Sequence, residues 1–126
     1  MTEAQQLLAE NCLQSAREML IQTDEFYPFG AFLGPTGIAH PLGIEVDKKN
    51  IPNNGNLIKQ LIDLAKSENF EQYSLCYEVS LQMSEAKPAI DAICVEFSET
   101  EAPKVYQPFS KVNNEYIFDD VFAVQQ

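Results

Sequence analysis

The chain has no tryptophan, a single histidine and five glycines among its 126 residues. None of the glycines stands in a G-x-G arrangement, so neither a dinucleotide fingerprint nor a phosphate-cradling loop is present. No HExxH helix or nucleophile elbow occurs, and one histidine, His40, is too few to complete a usual zinc ligand set. No cofactor is therefore expected. Basic residues are scarce: eight Lys and Arg stand against nineteen Asp and Glu, a net charge of −11. A nucleic-acid binder needs a cationic face to displace counterions from phosphates, and attraction to an anionic membrane surface needs the same. The expectation is no nucleic acid and no membrane. No apolar run approaches the roughly 20 residues that cross a bilayer.

Three cysteines, Cys12, Cys76 and Cys94, form neither a CxxC pair nor an even framework. In a reducing compartment each reads as a small buried apolar side chain. Cys76 and Cys94 fall on segments expected to be neighbouring strands, which makes a cross-strand bond conceivable. The opening Met1-Thr2-Glu3-Ala4-Gln5-Gln6 lacks the basic start and apolar core of a secretion signal, so the expected location is cytoplasmic.

At 14.2 kDa, with 45% hydrophobic and 21% charged residues, the composition is that of one globular domain spanning residues 1–126. A helix is expected from about Thr2 to Gln22. Thr2 and Gln5 match a capping box, and Leu8, Cys12, Ala16, Met19 and Leu20 recur at helical spacing. Pro28 ends that segment. Phe29 to Leu33 then reads as a strand, Gly34-Pro35-Thr36-Gly37 as a turn, and Ile38 to Val46 as the returning strand. Pro41 within that strand points to a sheet edge or a bulge. A second helix, roughly Asn56 to Glu68, carries a stripe of Leu57, Leu61, Leu64 and Ala65; its cap is Asn53, Asn54 or Asn56.

From Phe70 the period changes to two. Tyr73, Leu75, Tyr77, Val79, Leu81 and Met83 alternate with Ser74, Cys76, Glu78, Ser80 and Gln82, the pattern of a half-buried strand. Strands follow at Ala89 to Phe97, Lys104 to Phe109 and Tyr116 to Val124. The expected fold is α+β, in the order α-β-β-α-β-β-β-β. A single mostly antiparallel sheet of about five to six strands carries both helices on one face.

Three groups of residues invite a functional reading, each beside a structural one. Phe26, Tyr27 and Phe29, in the block Phe26-Tyr27-Pro28-Phe29-Gly30-Ala31, form either an aromatic recognition patch or a clamp at the helix-to-strand junction. In the second case Gly30 lets a neighbour approach closely. Glu78, Asp91 and Glu96 lie on adjacent strands and form either a carboxylate cluster for acid–base or cation chemistry, or solvated charges on a wet face. His40 is a potential general base, but Ala39 and Pro41 supply no polar partner and only Thr36 lies near it along the hairpin. A solvent-facing strand residue is the expectation there.

The Phe26–Ala31 block after an N-terminal helix resembles a family of small uncharacterised bacterial proteins. The segments Asp91-Ala92-Ile93-Cys94-Val95-Glu96-Phe97 and Val105-Tyr106-Gln107-Pro108-Phe109 are similar to that family as well. The resemblance implies a small α+β fold and carries no activity or site residue. In size and charge the chain is also similar to bacterial immunity proteins that neutralise secreted toxins. Its element order resembles profilin-like domains such as roadblock modules, except that Glu115 to Val124 reads as strand where such a module has a helix.

The leading expectation for function is a protein-binding module, immunity- or regulator-like, whose acidic surface meets a basic partner; catalysis is not expected. One alternative is a small-molecule binder or enzyme with a pocket between helices and sheet, whose polar ends would come from Tyr73, Tyr77, Tyr106 and Tyr116. The other is a structural homodimer joined through the edge strand containing Pro41 or through the aromatic block.

Overall fold

Thr2 opens the first helix as the sequence predicts. Its hydroxyl accepts from the Gln5 amide and the Gln5 side chain accepts from the Thr2 amide, both at 3.1 Å. The resulting α1 runs Glu3–Thr23 and stops at Asp24, whose φ of 64° is left-handed. In this computed structural model, which describes residues 1–125, two helices and seven strands follow one another. They are α1, β1 (Phe29–Leu33), β2 (Ala39–Leu42), α2 (Asn54–Ser67), β3 (Tyr73–Leu81), β4 (Ile90–Phe97), β5 (Lys104–Val112), β6 (Glu115–Phe118) and β7 (Phe122–Val124).

All strand pairs are antiparallel, in the order β2-β1-β3-β4-β5-β6, with β7 pairing the opening of β5. The expected α+β class, single sheet and element order hold. Within that order the segment Tyr116 to Val124 divides into β6 and β7, because Asp119-Asp120-Val121 leaves the ladder between them. The loop expected at Ser110 to Glu115 is instead a two-residue hairpin turn. Asn113 and Asn114 both take positive φ, 51° and 65°, the conformation whose twist suits a tight hairpin. Pro41 sits on β2, which is an edge strand, where its missing amide costs no ladder bond. Asn53 caps α2, accepting from Asn56 N at 2.8 Å.

The helices do not share a face; this corrects the expectation of both on one side. Along β3, Ser74 and Cys76 point to α1, whereas Tyr73, Leu75 and Tyr77 point to α2. α1 buries Leu8, Ala9, Cys12, Leu13, Ala16 and Leu20 against Ala31, Cys76, Ile93, Val95, Val105 and Phe109. α2 buries Leu61 and Ala65 against Leu42 and Leu75, with Phe32 and Phe70 alongside. β3 is thus buried on both faces at its start, not half-buried: Ser74 and Cys76 are 0% exposed and Leu75 is 5%. Small side chains make this work. Cys12 Sγ lies 3.2 Å from Ser74 Oγ, and the Cys76 thiol donates to the Cys12 carbonyl at 3.9 Å. A helix with Cys and Ala on its inner stripe can settle close to a strand that offers Ser and Cys.

Among the described residues, no helix is long and apolar enough to cross a membrane.

Candidate functional site

α2 packs over the β2-β1-β3 edge of the sheet, so on its side no helix lies over the half from β4 outward. The register defines what this open half presents. One rung reads Tyr77, Cys94, Tyr106 and Phe122 across β3, β4, β5 and β7. The next reads Val79, Ala92 and Pro108. Ser110 opposite Ile117 and Val112 opposite Glu115 extend it across β6. At the other end Lys104 stands opposite Val124. Val112, Ile117 and Val124 are 49%, 47% and 46% exposed, high values for β-branched side chains on one sheet face.

A polar knot lies within this apolar face. Glu96 accepts from the Tyr77 hydroxyl and pairs with Lys104 Nζ at 3.0 Å. Tyr106 stacks on Phe122 with centroids 5.5 Å apart. The Cys94 thiol sits between the two tyrosines, 1% exposed, and burial pushes its pKa up to about 11. Burial first, and then the bond to Glu96, hold the Tyr77 phenol well above its ordinary range. Glu96 in turn raises the Lys104 ammonium. At neutral pH the thiol is therefore protonated and a poor nucleophile, and the lysine is fully charged. The arrangement is suited to recognition: a neutral thiol, two phenols and one internally neutralised ion pair in an apolar surround.

Of the residues singled out from sequence, Glu78, Asp91 and Glu96 do not form one cluster. Glu78 and Asp91 share the α1 face on neighbouring rungs, Glu78 opposite Ile93 and Asp91 opposite Ser80. Burial, with a contribution from Asp91, raises the Glu78 carboxyl. Glu96 lies on the opposite face with Lys104. Phe26 and Phe29 meet edge to face, centroids 5.9 Å apart, and pack against the α1 core; Tyr27 is half-buried beside them. His40 is exposed on β2 and stacks on Phe32, which stacks on Phe70 in turn.

Cys76 and Cys94 are on opposite faces of the sheet, so the conceivable cross-strand bond is excluded; all three cysteines are free and buried. The four tyrosines expected to line one pocket are likewise divided. Tyr73, Tyr77 and Tyr106 face the α2 side, whereas Tyr116 donates to Asp24 at 3.0 Å beyond the end of α1.

Among the described residues, no three His, Cys, Asp or Glu side chains are grouped to hold a metal ion. The exposed apolar residues of the open face, Val112, Ile117 and Val124, were not legible as a site in the sequence. The available signal was β5 itself, whose alternate residues Lys104, Tyr106, Pro108, Ser110 and Val112 read as neither a core face nor a charged one. Comparison with family models, with curated proteins and with solved structures returned no match.

Proposed function

We propose that the chain is a protein-binding module that docks a net-basic protein on the open half of its sheet. The observation supporting this is the face from Tyr77 to Ile117, on which Val112 and Ile117 are exposed beside the neutralised Glu96–Lys104 pair and Glu115, in a chain of net charge −11. An exposed apolar strip favours association, and the surrounding charge selects the partner's sign. Two copies meeting here would bring two charges of −11 together; a basic partner instead gains from the same field. The immunity- or regulator-like role expected from size and charge is a specific form of this reading.

The test compares Val112→Asp and Ile117→Asp on the open face with Ile21→Asp, a control on α1 that is 63% exposed. Tagged proteins are used for capture from cell extract at low and high salt, with light scattering on the purified chains. The expected result is one stoichiometric basic protein, retained by the wild type and Ile21→Asp, lost with both face variants, and released by salt. Retention by the face variants overturns the docking surface. A salt-indifferent homodimer broken by the same variants overturns the basic partner in favour of a second copy.

A further inference from the structure

The chain's one arginine, Arg17, has no carboxylate partner among the described residues, although acidic side chains outnumber basic ones by nineteen to eight. Both ion pairs found there are made by lysines, Lys104 with Glu96 and Lys111 with Asp24. Arg17 is instead held by a neutral group. Its Nη1 donates to Gln107 Oε1 at 2.8 Å, and Gln107 Nε2 donates to the Asp119 carbonyl at 3.0 Å. Gln107 is 7% exposed, so this amide is clamped and its carbonyl end is committed to the guanidinium. One of five donors is thereby used to aim the group; the remaining donors and the full charge are left.

Arg17 stands at one end of a groove of about 550 Å³ between α1 and the strand β5, lined also by Val121. Ala9, Leu13, Val105 and Val121 make its walls apolar, and Met1 lines it as well. Gln6, Glu10 and Gln14 edge it along the helix. Glu10 is seven positions from Arg17, about 10 Å along the axis, and makes no ion pair with it. The volume falls within the range of small-molecule sites. A planar carboxylate is the group that the guanidinium's donor fork matches in a two-bond contact.

The geometry points to a binding site for a small monocarboxylate with an apolar tail, its carboxylate on Arg17 and its tail along Leu13, Val105 and Ala9. Arg17 to Ala9 spans about 12 Å of helix, which suits a straight tail of about eight carbons. This groove lies on the α1 side of the sheet and is independent of the open face.

The test uses octanoate, octanol and octylamine as probes, read by calorimetry and by ¹H–¹⁵N shifts of Gln107 and the Arg17 side chain. Octanoate is expected to bind at least tenfold more tightly than octanol, with octylamine weakest and shifts centred on Arg17 and Gln107. Arg17→Gln removes the preference for octanoate over octanol. Val121→Glu, at a position 46% exposed, places a like charge beside the tail and abolishes octanoate binding without disturbing the core. Equal affinity for octanoate and octanol, unchanged binding in either variant, or no octanoate binding at millimolar concentration overturns the assignment.

Discussion

A Cβ placed on Gly30 would lie 2.1 Å from the carbonyl oxygen of Ser74. β1 and β3 approach so closely there that only hydrogen fits, at a glycine whose φ is not in the left-handed region. The neighbour is backbone in the middle of the sheet and cannot swing aside. The aromatic block Phe26 to Ala31 thus contains a steric requirement, with Phe26 and Phe29 packing around it.

Gly30→Ala is expected to lower stability by about 3 kcal/mol or more, beyond the usual cost of one added methyl in a packed core, because strand must move from strand. Urea unfolding checks this. A midpoint equal to that of the wild type would show that the sheet gives way there.

α2 anchors a second core, separate from that of α1, through Leu61, which is 0% exposed. Leu61→Ala is expected to cost about 2–5 kcal/mol. Ile21→Ala, on the exposed side of α1, is expected to stay within about 0.5 kcal/mol of the wild type. A Leu61→Ala protein as stable as the wild type would mean that α2 is a loosely attached cover.

Stability is expected to fall between about pH 9 and 11. The Cys94 thiol is raised from its ordinary 9.0 to about 11 by burial, so the native state keeps its proton while the unfolded chain releases it. Below pH 9 both states are protonated and this contribution is constant; above it, rising pH favours unfolding until the folded thiol ionises too. The raised Cys76 thiol and Tyr77 phenol act in the same direction. Cys94→Ala should flatten the decline in thermal midpoint across this interval, and an unchanged slope would remove Cys94 from the account.

Tyr77→Phe is expected to cost about 0.5–1.5 kcal/mol through the lost bond to Glu96, with the fold intact. Glu96→Gln should lower the Lys104 pKa toward its ordinary value, since Glu96 is the largest cause of its elevation. Lysine-side-chain NMR titration reads this directly. A Lys104 pKa unmoved by Glu96→Gln would show that the pair is not formed in solution.

Much of this architecture was legible from periodicity and punctuation. Thr2 with Gln5, Pro28, Gly34-Pro35-Thr36-Gly37 and the change to period two from Phe70 set the helix start, the first hairpin and the long central strand. These are local signals, in which a few adjacent residues decide their own backbone. The Asn113-Asn114 turn was equally local, but two asparagines in a polar stretch read as loop until both were seen to take positive φ.

What the sequence could not decide was which helix covers which face. An alternating strand announces two faces and says nothing about the element that will lie on either. Ser74, Cys76 and Glu78 alternate with the apolar series of one strand, yet the first two are sealed beneath Cys12 and Ala16 while Glu78 stays exposed. That outcome depends on register between strands far apart in the chain and on where α1 crosses them. The same long-range placement separated Glu96 from Glu78 and Asp91. It also brought Arg17 to Gln107, 90 residues away. Local chemistry determined the elements; the packing of α1 and α2 on opposite sides determined which side chains were buried and which were left exposed.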